Sequence, residues 1–141
     1  MIEFGITDKF YEDLKKYKTL FKKSIEDFVV DSIRVHLCEW EKDIEIYTNT
    51  RVLASSQPDR NLIIKLPDDV LDTLGQFMEY HEQSEQYIIQ TMVESTITFL
   101  NLNWSGYYSL EDKELNNDEK IKELYRVNNN NEGECWNKFF N

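Results

Sequence analysis

The stretch Asn61-Leu62-Ile63-Ile64-Lys65-Leu66-Pro67-Asp68-Asp69-Val70-Leu71-Asp72-Thr73-Leu74 decides the fold. Leu62, Ile64 and Leu66 lie on one face of an extended segment, and Asn61, Ile63 and Lys65 on the other. Alternation with period two marks a half-buried strand. Pro67-Asp68-Asp69 then opens a helix, where a proline in the first turn is tolerated. Val70, Leu74, Phe77 and Met78 are its apolar stripe, and Gly75 weakens it in favour of close packing. Ser84 caps a second helix that buries Ile88, Ile89, Met92, Val93, Ile97 and Leu100.

The same order occurs once before, at a constant offset of sixty: residues 2–40 lie over 62–100 without a gap. Asp8/Asp68, Leu14/Leu74 and Ser24/Ser84 are identical, and Phe10/Val70, Tyr17/Phe77, Phe28/Ile88 and Ile33/Val93 match in character. Ile2, Phe4 and Ile6 form the inner strand face; Thr7 or Asp8 caps a helix carrying Phe10, Leu14, Tyr17 and Phe21. Ser24 caps the next helix, with Asp27 in a capping-box position, and that helix buries Phe28, Val29, Ile33, Leu37 and Trp40. A lone strand per copy is unstable, so strand 2–6 is expected to pair antiparallel with strand 62–66 above four helices. An internal repeat of this kind governs architecture.

The implied organisation is copy one over 1–42, a connection over 43–60, copy two over 61–101 and a C-terminal extension over 102–141. In the connection, Asp43 to Tyr47 alternates as an edge strand and Ser55 to Asp59 reads as a turn. In the extension, Trp104 to Tyr108 reads as a loop, Asp118 to Val127 as a short helix with Ile121, Leu124 and Tyr125 on one side, and Asn128 to Asn131 as a polar break. The aromatic end, Cys135-Trp136-Asn137-Lys138-Phe139-Phe140, is expected to dock onto the body, because exposed rings forfeit large burial energies.

A hydrophobic fraction of 40% and an aromatic fraction of 13% in 141 residues predict a folded chain with a real core. No apolar run is long enough for a membrane span, and no secretory signal is read at Met1 to Phe4. Cys38 and Cys135 lack a framework spacing, which predicts reduced thiols and a cytoplasmic location. The net charge of −11 is uneven: residues 1–40 hold seven Lys/Arg against eight Asp/Glu, whereas residues 61–101 hold Lys65 against seven acidic groups. Such a field repels nucleic acid at range and favours basic protein surfaces, although solubility alone also accounts for acidity.

Strand, Leu-Pro-Asp-Asp helix start and Ser-capped second helix together resemble the ribbon–helix–helix family, better over Asn61 to Leu100 than over Met1 to Trp40. The resemblance implies a mainly α fold with a short two-stranded antiparallel ribbon, in which the usual homodimer is fused into a tandem pseudo-dimer. It also implies duplex DNA as partner, with the ribbon in the major groove, and a regulator or transfer accessory of a phage, virus or plasmid. By that resemblance Met1, Glu3 and Gly5, with Asn61, Ile63 and Lys65, face the groove. Asn61 and Lys65 suit base readout, Glu3 would accept from cytosine, Ile63 would touch a thymine methyl and Gly5 allows close approach. Ser24, beside Lys22 and Lys23, suits the family's phosphate clamp at the second helix, whereas Ser84 is flanked by Glu82 and Glu85. Helix capping alone also explains both serines.

Three functions follow. The fold resemblance, with Lys9, Lys15, Lys16, Lys18, Lys22 and Lys23 in copy one, favours a DNA-binding regulator, a monomeric pseudo-dimer or a higher assembly of them. The alternative is an acidic inhibitor of anti-CRISPR or anti-restriction type, which has left DNA and mimics it. Asp68, Asp69, Asp72, Glu79, Glu82 and Glu85 would then meet a basic host nucleic-acid-binding protein. The third is an assembly subunit docked through its aromatic tail. No catalytic constellation, cofactor motif or metal spacing is read: His36 and Cys38 diverge around a helix, His81 sits at a helix end, and Glu12-Asp13 and Glu26-Asp27 are sequence neighbours that do not converge.

Overall fold

Alternation at the start of the chain becomes β1 (Ile2–Ile6), with Ile2, Phe4 and Ile6 turned inward and Glu3 outward. The computed structural model describes residues 1–42, 57–109, 135, 136 and 139, with the backbone alone for 103–109. The expected edge strand at 43–47, residues 55 and 56 of the turn, the helix at 118–127 and the polar break at 128–131 lie outside the described residues.

Thr7 ends β1 and caps α1 (Asp8–Leu20), its Oγ1 accepting from the Phe10 N–H at 3.3 Å. Lys22 then takes a left-handed conformation at φ 58, which reverses the chain into α2 (Ile25–Glu41). Ser24 caps α2, its Oγ accepting from the Asp27 N–H at 3.0 Å. Residue 60 begins β2 (Arg60–Ile64), followed by α3 (Asp68–His81) and α4 (Glu85–Ser109). The turn between α3 and α4 repeats the first one: Glu82 is left-handed at φ 52, and Ser84 Oγ accepts from the Tyr87 N–H at 3.2 Å. Left-handed backbone is uncommon for residues other than Gly, Asn and Asp. Its recurrence sixty residues on, just before each capping serine, marks the same turn built twice.

β1 and β2 form a two-stranded antiparallel sheet in which Ile2 faces Ile64, Glu3 faces Ile63 and Phe4 faces Leu62. β2 begins two residues earlier than the periodicity suggests, because Arg60 pairs with Ile6. Beneath this sheet α2 and α4 pack against one another, α1 lies against both, and α3 lies against α2. α2 and α4 are apolar around most of their circumference, as central helices must be. Phe4, Ile6, Leu14, Phe28, Ile33 and Ile97 are among the fully buried side chains. Each contributes about 1.5–3 kcal/mol over an exposed position. Tyr17 Oη donates to Asn101 Oδ1 at 2.7 Å, and Asn101 Nδ2 donates to Asp13 Oδ2 at 3.1 Å, fastening α1 to α4.

Three expectations are corrected. α4 continues to Ser109 through the supposed loop at Trp104 to Tyr108, so the boundary at 101/102 falls inside a helix. One interior glycine, Gly106, costs about 1 kcal/mol and does not stop a helix that holds no proline. Gly75 has open space where a Cβ would stand, so close packing is not its reason. Cys38 and Cys135 are joined in a disulfide with Cα atoms 5.6 Å apart. Ninety-seven residues separate them, and no local spacing reveals a pairing made by the chain's return. That return also buries Trp136 and Phe139, as their hydrophobicity predicts. Among the described residues no helix is long and apolar enough to cross a membrane.

Candidate interaction surface at the ribbon and helix α3

The outward face of the ribbon carries Glu3 opposite Ile63 and Gly5 opposite Asn61, with Met1 and Lys65 at one end. Ile63 is 63% exposed and Met1 96% exposed. Gly5 is not open to a ligand. The ring of Pro58 lies over it, and a Cβ at this position would collide with Pro58 Cβ and Cγ. The close approach that only glycine permits is therefore made by the chain's own turn. That turn is pinned further. Asp59 N–H donates to Ile6 O at 3.0 Å, and Asp59 Oδ2 accepts from the Asp8 N–H at 2.7 Å, at the start of α1.

The basic side chains near the ribbon are mostly engaged. Arg60 Nε donates to Asp8 Oδ1 at 2.9 Å, which holds its guanidinium above the ordinary arginine range, and Arg60 stacks over Tyr11 at 4.1 Å. Lys23 Nζ lies 2.5 Å from Asp31 Oδ2 and 4.9 Å from the Phe139 ring centroid. Lys15 pairs with Glu12 at 2.9 Å, and Lys16 covers the Tyr17 ring at 4.6 Å. Lys22, Ser24, Asn61 and Lys65 remain exposed. The α2 N-terminus abuts the end of β2, where Glu26 Oε2 accepts from the Lys65 N–H at 3.4 Å. Glu26 and Asp27 therefore sit on the helix end that would hold a phosphate, and their charges favour its partial positive charge themselves.

On α3, Asp68, Asp72 and Glu79 are exposed and fall within about 40° of one another at 100° per residue, a stripe about 16 Å long. Asp69 stands apart from it. Its Oδ2 accepts from Arg34 Nη1 at 2.7 Å, and that bond holds the carboxyl below the usual range. Glu82 and Glu85 follow at the turn into α4. The six acidic candidates are thus strung along one helix and the turn after it, not gathered at a point.

Away from this surface, Trp40, Phe77, Tyr80 and His81 form a ring cluster at the ends of α2 and α3, with Phe77 and His81 at 4.2 Å. Helical spacing predicts Phe77 as core, but the union of these four rings depends on how α2 and α3 meet, which has no local signal. Among the described residues no group of three or more His, Cys, Asp or Glu side chains converges as a metal site. His36 is buried, with Nδ1 2.9 Å from Ser32 O, and burial lowers its pKa to about 4 against the opposing pull of that hydrogen bond. Burial also raises the carboxyl of Glu94, which accepts from Gln90 Nε2 at 2.6 Å.

The chain matches no protein-family model, no curated protein and no solved structure.

Proposed function

We propose that this chain is a single-chain ribbon–helix–helix pseudo-dimer that works as a binding module, with an acidic face for a basic nucleic-acid-binding protein. The scaffold half of the reading rests on symmetry. Glu3 faces Ile63, its own counterpart sixty residues on, which is the register that a pseudo-two-fold axis through that pair would require. The left-handed residues Lys22 and Glu82 and the caps Ser24 and Ser84 recur at the same offset of sixty and support the reading.

The observation that carries the partner is the exposed stripe Asp68, Asp72 and Glu79 on α3. Its charges are ordered along one line, as phosphates are along a strand. The ribbon offers less to DNA than the family's usual face. Gly5 is covered, Lys23 is paired and Glu26 stands on the α2 N-terminus. The proposed role is competition with nucleic acid for a basic groove.

A second reading, a duplex-DNA regulator, keeps one specific support: Lys22, Ser24, Asn61 and Lys65 are exposed around the junction of α2 and the ribbon. One experiment separates the two. The protein is titrated against a fluorescent duplex pool from about 50 to 200 mM salt, where each phosphate contact adds about 0.9 to the salt slope. No binding at low salt is the expected result. Binding with a steep slope that disappears in the Asn61→Ala, Lys65→Ala variant would replace the protein-binding reading with DNA reading. In pull-downs, Asp68→Lys with Asp72→Lys and Glu79→Lys should abolish capture of a basic partner.

A further inference from the structure

The bond between Cys38, on the last turns of α2, and Cys135 ties the C-terminal segment to the helical body. What it holds down is apolar. Trp136 stacks on Phe99 of α4 with centroids 4.5 Å apart, and Phe139 meets Phe28 of α2 edge-on at 5.4 Å. Trp136 and Phe139 are 2% and 1% exposed. The bond itself is not sealed. A cavity of about 520 Å³ opens between α2 and α3, and both cysteines line it together with Arg34, Asp69, Val70 and Phe139. Cys38 is half-buried there, whereas Cys135 is buried. A disulfide is exchanged only where a thiolate can reach a sulfur. This one has an open approach to Cys38.

We propose that Cys38–Cys135 is a reversible latch, opened by a dithiol reductant entering this cavity, and that opening releases Trp136 and Phe139 from the body. A thiolate of the reductant attacks Sγ of Cys38 and forms a mixed disulfide. The Cys38–Cys135 bond breaks, its electron pair leaves on Cys135, and that thiolate takes a proton from water. The second thiol of the reductant then gives up its proton and displaces Cys38, which leaves as a thiolate and is protonated. The reductant departs as a cyclic disulfide, oxidised by two electrons, and the two cysteines are reduced by two. The reverse exchange with an oxidised dithiol closes the latch.

Closure keeps the two rings at high effective concentration over their seats on Phe28 and Phe99. Opening makes their docking a contest between ring burial and the entropy of the freed chain. Release also takes the Phe139 ring from beneath Lys23 Nζ. The latch therefore reaches the turn beside Ser24 through Lys23.

The test uses the oxidised full-length chain, reduced stepwise with dithiothreitol in native buffer. Intact mass after maleimide labelling counts thiols, and amide exchange by NMR is followed at Trp136, Phe139, Ile33 and Val93. The latch predicts two labelled thiols without denaturant and at least about tenfold faster exchange at Trp136 and Phe139, with Ile33 and Val93 still protected. Cys38→Ser should reproduce the reduced profile. Four results would overturn it: two free thiols that persist after oxidation with oxidised glutathione, thiols that label only in denaturant, unchanged protection at Trp136 and Phe139, or loss of protection at Ile33 and Val93 together with the segment. A Cys38→Ser chain that fails to fold counts with the last, since the bond would then be a staple of the whole fold.

Discussion

Acid should unfold this protein through His36, and the size of the effect follows from its surroundings. The ring is 5% exposed on α2, with Nδ1 against Ser32 O at 2.9 Å and, among the described residues, no hydrogen-bond partner at Nε2. Its neutral form satisfies this geometry by donating from Nδ1, whereas a protonated ring would add a buried donor with no acceptor. The folded pKa is lowered from 6.5 to about 4. A lowered folded pKa means that the unfolded chain binds the proton first as pH falls. Stability is then complete above the unfolded value near 6.5 and declines towards the folded value near 4. The gap corresponds to about 3 kcal/mol by pH 4, at about 1.36 kcal/mol for each pH unit. Two other effects run the opposite way. Glu94, raised by burial, is relieved as it protonates, and the net charge of −11 shrinks. The measurement is therefore a difference. Urea denaturation of the oxidised protein at pH 7, 6, 5 and 4 is compared with His36→Asn, whose amide donates to Ser32 O and does not titrate. The variant is less stable at pH 7, having lost ring packing, but its loss between pH 7 and 4 should be about 3 kcal/mol smaller. Equal losses in the two proteins would refute the reasoning.

Three further outcomes are expected. Gly75→Ala should stabilise by about 0.5–1 kcal/mol in urea denaturation, because the position is an exposed helix interior with open space for a Cβ. Phe28→Ala should cost about 3–5 kcal/mol in the same assay, since the ring is fully buried and carries Phe139. Arg34→Ala should return the Asp69 titration, followed by carboxyl NMR, upward to the ordinary aspartate range, with little effect on stability because the pair is exposed.

Elements whose cause is local could be read from the chain. The capping serines, the strand alternation and the apolar stripes each act within a few residues, so the strand–helix–helix order emerged twice and the antiparallel pairing followed from the repeat. The end of α4 could not be read, because Gly106 is a signal that helices often override. At the surface, residue type predicted placement but not availability. Lys65 and Asn61 lie on the outward ribbon face as their alternation implies. Lys23 is lost to Asp31 and Phe139, contacts made across a turn and by a segment more than a hundred residues away. Gly5 carried no hint that Pro58 would cover it.

The two stretches sixty residues apart share a strand–helix–helix order but not a surface, and the fused pseudo-dimer proposed above would leave them free to differ. In a homodimer every substitution appears twice, so both halves of a ribbon must serve one task. Here Lys23 and Asp31 pair around Phe139, whereas the positions sixty residues on are Gln83 and Thr91, which cannot form that ion pair. The charge diverges in the same sense. The first half is nearly balanced, and the second holds one lysine among seven acidic residues. Where α2 and α4 pack together, Phe28/Ile88, Val29/Ile89, Ile33/Val93 and Leu37/Ile97 are apolar in both halves, whereas the buried pairs Val30/Gln90, Val35/Ser95 and Glu39/Phe99 are not. Packing thus keeps the centre of the α2–α4 contact apolar on both sides, while the surface charges diverge. On the proposals made above, one half would receive the latched segment and the other would present the acidic stripe of α3.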